Sequence, residues 1–217
     1  ITFSSTITAL TLIMASGVSG VRSRYKNSRG NHMAIIRKGN KKALLVVDVQ
    51  VSVMQNAWSA TEVISNIVKA VEKARENQIP IIWVQHSDDE LILNSPDWQL
   101  VPELIPFQGE TRISKNYNSS FEDTPLEKEL SRLGISHILL AGAATNWCIR
   151  ATAYGALDRG YDVTLIEDAH TTKTMELENG MKIEAKSVIQ DLNVAMAWLS
   201  YPGRTNQALP LKNIPFS

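Results

Sequence analysis

The sequence predicts an α/β fold, a doubly wound, mostly parallel six-stranded sheet with helices on both faces. Three observations predict it. Short apolar runs without polar interruption recur along the chain, the pattern of strands buried on both faces. Segments with apolar residues at helical spacing alternate with those runs. The length of 217 residues is enough for one sizeable core, and no internal repeat divides it.

Residues 1–42 stand apart. No Asp or Glu occurs before Asp48, while eight basic residues do: Arg22, Arg24, Lys26, Arg29, Arg37, Lys38, Lys41 and Lys42. The apolar run from Thr8 to Ala15 is too short to span a bilayer, and no basic flank precedes it as a secretory leader requires. Two expectations compete for residues 1–32. Their acid-free, Ser-rich composition is of the organelle-transit type; alternatively they are an upstream segment outside the domain, with Met33 as the natural start. The second is preferred, and with it a cytoplasmic protein.

The globular pattern is expected from residue 43 to residue 200. Ala43 to Val47 reads as a strand ending at Asp48. Thr61 to Gln78 reads as a helix, with Val63, Ile64, Ile67, Val68, Val71 and Ala74 on its inner face and Thr61 as N-cap. Ile81 to Val84 forms the next strand. Residues 86–109, with Pro96, Pro102 and Pro106, form a long loop of the kind that usually carries function. A short strand from Thr111 to Ser114 leads into Lys115. Thr124 and Glu127 suggest a capping box for a helix that runs to Leu133 and stops at Gly134. A strand from Ser136 to Ala141 precedes a turn of small residues and a helix from Asn146 to Arg159. The strand Asp162 to Ile166, a helix over 182–191 and a last strand over 194–199 complete the pattern, with residues 201–217 as a loop-like tail.

Composition excludes some partners. The formal net charge is zero, so no polybasic surface for nucleic acid and no acidic tail is implied. One cysteine cannot form an internal disulfide, which fits a reducing compartment. No glycine-rich phosphate cradle is evident, and His86 with Asp88 and Asp89 offers only one imidazole, so neither a cofactor nor a metal is expected.

In doubly wound sheets, ligands bind beyond the carboxyl ends of the strands. Asp48, Lys115 and Cys148 each follow an apolar strand and so converge on that edge. An acid, an amine and a thiol together suggest nucleophilic catalysis on a carbonyl or nitrile carbon. Asp48 would take the thiol proton and hand it to a leaving amine. Lys115 would keep Asp48 ionised and favour the thiolate. Cys148, placed in the first turn of a helix, would meet free N–H groups and the positive end of the dipole, which lowers a thiol pKa. Taken singly, each residue has a plainer reading: a core cysteine, a strand-end cap, a solvated charge. His86 directly follows a strand at this edge and is favoured over His170 as a nearby imidazole. His137, at a strand start, is expected on the surface.

The segments Leu44-Leu45-Val46-Val47-Asp48-Val49-Gln50, Lys115-Asn116-Tyr117-Asn118-Ser119-Ser120-Phe121, Gly142-Ala143-Ala144-Thr145-Asn146-Trp147-Cys148 and Asp168-Ala169, in this order, resemble the isochorismatase-like cysteine hydrolase superfamily, in its metal-lacking branch. The resemblance covers about residues 42–170. It implies a catalytic triad of Asp48, Lys115 and Cys148, a cis peptide at Ala143–Ala144, and an oxyanion hole from the N–H groups of Ala144 and Cys148. It further implies hydrolysis of amide C–N bonds in small molecules through a Cys148 thioester, and a homo-oligomer, dimer or tetramer. Metal-binding members carry Asp-x-His and a later His, a set that is missing after His86. The polar residue followed by Asp-Phe that is common after Gln50 is here Val51-Ser52-Val53-Met54, which leaves the substrate open. Gln50, His86, Trp98, Tyr117, Phe121, Asn146 and Trp147 are the candidates to contact substrate, with Trp98 weighed equally as a packing anchor for its loop. Two competing functions are a vinyl-ether hydrolase driven by Asp48 without covalent catalysis and a binding protein on the same fold.

Overall fold

The structure, a computed structural model, describes Arg37 and residues 39–216. The expectations for residues 1–32, including the transit reading, lie outside these described residues. So does the start at Met33.

Strand β1 (Lys41–Val47) opens the sheet, followed by a one-turn helix α1 (Val51–Met54) and the long helix α2 (Ala60–Glu76). Then come β2 (Ile81–His86), β3 (Thr111–Lys115), α3 (Leu126–Leu133) and β4 (Ile135–Ala143). A π-helical turn (Thr145–Ile149) leads into α4 (Arg150–Asp158) and β5 (Asp162–Thr171). A small antiparallel hairpin, β6 (Met175–Glu176) with β7 (Lys182–Ile183), precedes α5 (Ala185–Trp198) and β8 (Asn206–Leu209).

Six strands form one sheet in the order β3-β2-β1-β4-β5-β8, and every neighbouring pair is parallel. The apolar runs are continuous because both faces are covered. Along β1, Leu44 and Val46 point into a core layer with Val63, Ile67, Ala70 and Val71 of α2. Ala43, Leu45 and Val47 point into the opposite layer, with Leu130 of α3, Ala153 of α4 and Leu192 of α5.

The expected strand over 194–199 is instead the end of α5, where Leu192 and Met196 pack inward and Val194 and Trp198 remain exposed. A short apolar run is ambiguous between helix and strand, and here the i, i+4 pair decided for the helix. The sixth strand comes from the expected tail: Asn206 to Leu209 pairs with Val163 to Ile166 of β5. As an edge strand it lacks the apolar signature. Two helix starts also differ. Ser59, not Thr61, precedes α2, and no side chain caps it. Before α3, Thr124 Oγ1 accepts the Leu126 N–H at 3.3 Å, but Glu127 turns away to Arg37 and Arg159, so no capping box forms.

The order of strands reverses its direction of growth between β1 and β4, which makes this pair the switch point of the sheet. Register pins the two strands together there, with Val47 opposite Gly142. Gly142 has a φ of +129°, and a Cβ at this position would sit 1.9 Å from the Val47 carbonyl oxygen. Only glycine permits that approach.

The long loop is folded back rather than open. Gln50 and Leu100 form an antiparallel bridge, and the N–H of Val51 donates to the Gln99 carbonyl at 2.9 Å. Residues 97–101 thus lie along the segment that follows Asp48.

Candidate active site

Asp48, Lys115 and Cys148 meet at the carboxyl edge of the sheet. Asp48 ends β1 in a left-handed conformation with φ of 51°, its N–H donating to the Val84 carbonyl at 2.8 Å. Lys115 ends β3, in register with His86 of β2. Its side chain is fully buried and reaches past β2. The ammonium donates to Asp48 Oδ2 at 2.7 Å and to Cys148 Sγ at 3.2 Å. One buried cation therefore joins a carboxylate and a sulfur from three separate strand ends. Asp48 Oδ1 is buried and has no hydrogen-bond partner. A buried acceptor without a donor is uncommon, and the carboxyl that carries it neighbours the Cys148 thiol.

Cys148 sits in the π-helical turn, not in the first turn of an α-helix. The N–H groups of Trp147 and Ile149 both donate to the Ala144 carbonyl, at 3.0 and 3.2 Å, and neither bond uses the N–H of Cys148. The Ala143–Ala144 peptide is cis. The expected lowering of the thiol pKa is overturned. Burial, and next the adjacent Asp48 carboxylate, push it up to about 12, against the pull of Lys115. Burial likewise raises the Asp48 carboxyl, while the Lys115 ammonium, the largest opposing influence, favours its ionised form. The resting site is thus a neutral thiol beside a strengthened base.

The remaining candidates separate. Gln50 is fully buried and clasps the backbone: its Nε2 donates to the carbonyls of His86 and Trp98 at 3.0 and 2.8 Å, and its Oε1 accepts the His86 N–H at 2.9 Å. Both N–H bonds of its amide are thereby spent on the backbone, and only one lone pair of Oε1 is left over. His86 is at the site, with Nδ1 at 3.4 Å from Lys115 Nζ. Trp98 is half-buried; its carbonyl is held by Gln50 and Gln85, while its indole N–H is buried without a partner. Phe121 is committed to packing, stacked on Tyr161 at 5.9 Å with the Arg159 guanidinium over its ring. Tyr117 and Trp147 are exposed, at 48% and 54%. Asn146 Oδ1 accepts from Thr172 Oγ1 at 2.6 Å.

Asn118 escaped the sequence reading. Its Oδ1 lies 3.7 Å from Cys148 Sγ and is the thiol's acceptor. The signal was its place three residues after Lys115, among residues chosen for their aromatic neighbours. His170 is away from the triad, fully buried between Thr145 Oγ1 and Asn193 Oδ1, each at 2.9 Å. His137 is half-buried rather than a surface group, and bonds Thr164 Oγ1 at 2.8 Å. Among the described residues, no three His, Cys, Asp or Glu side chains are grouped to hold a metal ion. No helix among them is long and apolar enough to cross a membrane.

Known proteins share the family and the fold. Residues 42–190 match the sequence model of the Isochorismatase domain. An uncharacterized isochorismatase family protein of Bacillus subtilis (strain 168), YrdC, is 30% identical over 166 residues, covering 73% of this chain and 87% of the relative. The ureidoacrylate amidohydrolase RutB of Enterobacter sp. (strain 638) is 30% identical over 205 residues, covering 73% of this chain and 84% of that protein. The crystal structure of an isochorismatase from Pseudomonas putida KT2440 superposes with a TM-score of 0.71 at 26% identity, covering 82% of this chain and 93% of that one.

Proposed function

This chain belongs to the isochorismatase family of hydrolases, and we propose that it cleaves an amide-type C–N bond of a small molecule through a thioester on Cys148. The observation that carries the reading is the Lys115 ammonium held between Asp48 and Cys148. A buried cation in that position stabilises negative charge on the sulfur as it forms. The likeness to an amidohydrolase supports the same bond type.

Because the resting thiol is neutral, attack and proton transfer are coupled. The S–H proton leaves Asn118 and passes to the open Oδ1 of Asp48 as sulfur bonds to the carbonyl carbon. The oxygen of the tetrahedral adduct takes the electron pair, held by the N–H groups of Ala144 and Cys148. Asp48 returns its proton to the nitrogen, the C–N bond breaks and the amine leaves. Water, deprotonated by Asp48, then attacks the thioester. The acid departs, and the sulfur regains its proton from Asp48.

Intact-mass measurement of the protein mixed with a panel of small amides and ureido compounds tests this. A productive substrate leaves an adduct on Cys148 equal to the substrate minus its amine. Cys148→Ala should form none and should lose at least about 10³-fold in turnover with an unchanged circular dichroism spectrum. Turnover persisting in Cys148→Ala would exclude the covalent route.

A further inference from the structure

The side chain of Lys115 is entirely buried, and its ammonium carries three N–H bonds. A buried ammonium short of an acceptor is costly, so each of the three needs one. Asp48 Oδ2 and Cys148 Sγ take two. The remaining contact is Nδ1 of His86 at 3.4 Å. An ammonium only donates, so this contact is a hydrogen bond only when Nδ1 carries no proton.

The rest of the imidazole is arranged to satisfy that condition. Its Nε2 lies 3.0 Å from Asp88 Oδ2, which can only accept while ionised. Asp88 itself is fixed: its Oδ1 accepts the N–H groups of Glu90 and Leu91 at 2.9 and 2.7 Å, which turns Oδ2 towards the ring. Those backbone bonds also hold the Asp88 carboxyl below the usual carboxylate range. The backbone of His86 is clamped at both its N–H and its carbonyl by the Gln50 amide.

We propose that His86 is a positioning residue, a neutral imidazole protonated on Nε2, which supplies the third acceptor of Lys115 while Asp88 fixes its tautomer. The chain Asp88–His86–Lys115 then ends on Asp48 and Cys148, and links the exposed side of the loop to the buried thiol. This replaces the expectation that His86 contacts substrate. The groups facing the ring are Lys115 of β3 and Asp88 of its own loop, with Asp48 and Cys148 behind Lys115. A second proton on the ring would remove the Nδ1 acceptor and set an imidazolium against the ammonium.

The inference rests on reading Lys115 as the partner of the Cys148 thiolate, but it needs no substrate, so its test is separate from that of the reaction. Nitrogen-15 spectra of the histidine-labelled protein near neutral pH should show the His86 ring protonated on Nε2 and not on Nδ1, the resonances being assigned by their absence from His86→Asn. An Nδ1-protonated or doubly protonated ring would overturn the proposal, and this measurement uses the unaltered protein. Alkylation of Cys148 by iodoacetamide is the second readout. His86→Leu, with no acceptor, should slow it at least about tenfold, because a less favoured ammonium supports the thiolate less. His86→Asn, whose amide oxygen can stand near the place of Nδ1, should stay within about threefold of the parent rate. Equal rates in the parent and His86→Leu, or the same loss in both variants, would leave His86 with a packing role and end the proposal. A panel that yields no thioester while the alkylation pattern holds would refute the reaction and leave the positioning role standing.

Discussion

At the residue scale the site is a contest of charges around one sulfur. Burial and then Asp48 oppose the thiolate, and Lys115 favours it. Removing each charge should therefore move thiol reactivity in opposite directions. In Asp48→Asn the opposing carboxylate is gone and the ammonium remains, so iodoacetamide should alkylate Cys148 at least about tenfold faster at a given pH near neutrality, one pKa unit being tenfold in thiolate. The same variant should lose turnover, because no base is left to carry the proton to the leaving amine. Faster alkylation with lost turnover separates a nucleophile from a general base; slower alkylation would mean that Asp48 favours the thiolate. The three residues were legible in the sequence because each lies at or within a few residues of the carboxyl end of a strand. The direction of the thiol pKa was not legible. It depends on how deeply the sulfur is packed and on how close the Asp48 charge comes to it, and neither leaves a mark in the local residues. Asn118 was hidden for a similar reason, since only its loop's path brings an exposed amide to the thiol.

At the element scale, the meeting of the strand ends depends on how closely β4 can lie against β1. Gly142 sets that distance, with no room for a Cβ beside the Val47 carbonyl oxygen. Gly142→Ala should cost at least about 4 kcal/mol in urea unfolding, since both the backbone clash and the positive φ act against it. Gly180→Ala isolates the second effect. Its φ is +79° with nothing near the added Cβ, and the expected cost is about 1 kcal/mol. Similar losses in both variants would mean that the β1–β4 spacing can relax, and that Gly142 does not hold the site together. Elements covered on both faces were legible, from the runs at Ala43 to Val47 and Leu139 to Ala141. The miss at Val194 to Leu199 has a physical cause: α5 ends with a run as apolar as a buried strand, while β8 at the sheet edge is built around Asn206 and Gln207. The loop over 97–101 was similarly opaque, because its bridge to Gln50 is made by backbone groups that any residue carries.

For the whole molecule, two histidines at opposite ends of the sheet, His137 half-buried and His170 buried, couple folding to pH. His137 lies at the amino end of β4 and His170 near the carboxyl end of β5. Burial pushes both down to about 4. For His170 the neutral ring is fixed on both sides. Asn193 Oδ1 accepts from Nε2, its Nδ2 being turned to the Glu167 carbonyl at 3.3 Å, and the Thr145 hydroxyl donates to Nδ1. An unfolded histidine takes its proton near pH 6.5. The folded state refuses that proton until about 4, so the unfolded chain binds more protons in the interval between. Stability is full above the unfolded value and is lost as pH falls through the window. For a ring as buried as His170 the loss between about pH 7.5 and 5 is about 2 kcal/mol. Asp48, whose carboxyl is raised, contributes in the opposite sense, so the total slope mixes the two and the useful quantity is a difference between variants. His170→Asn keeps Asp48 and every other carboxylate, and should unfold in urea with a shallower pH dependence, smaller by about 2 kcal/mol across that interval. Its absolute stability at neutral pH can fall through lost hydrogen bonds without affecting the comparison. An unchanged slope would mean that the folded chain accepts a proton at His170 near its ordinary pKa. The bond from Thr145 would then reverse as pH falls below about 6.5, and in mild acid the turn that carries Cys148 would rest on a charged group instead of a neutral one.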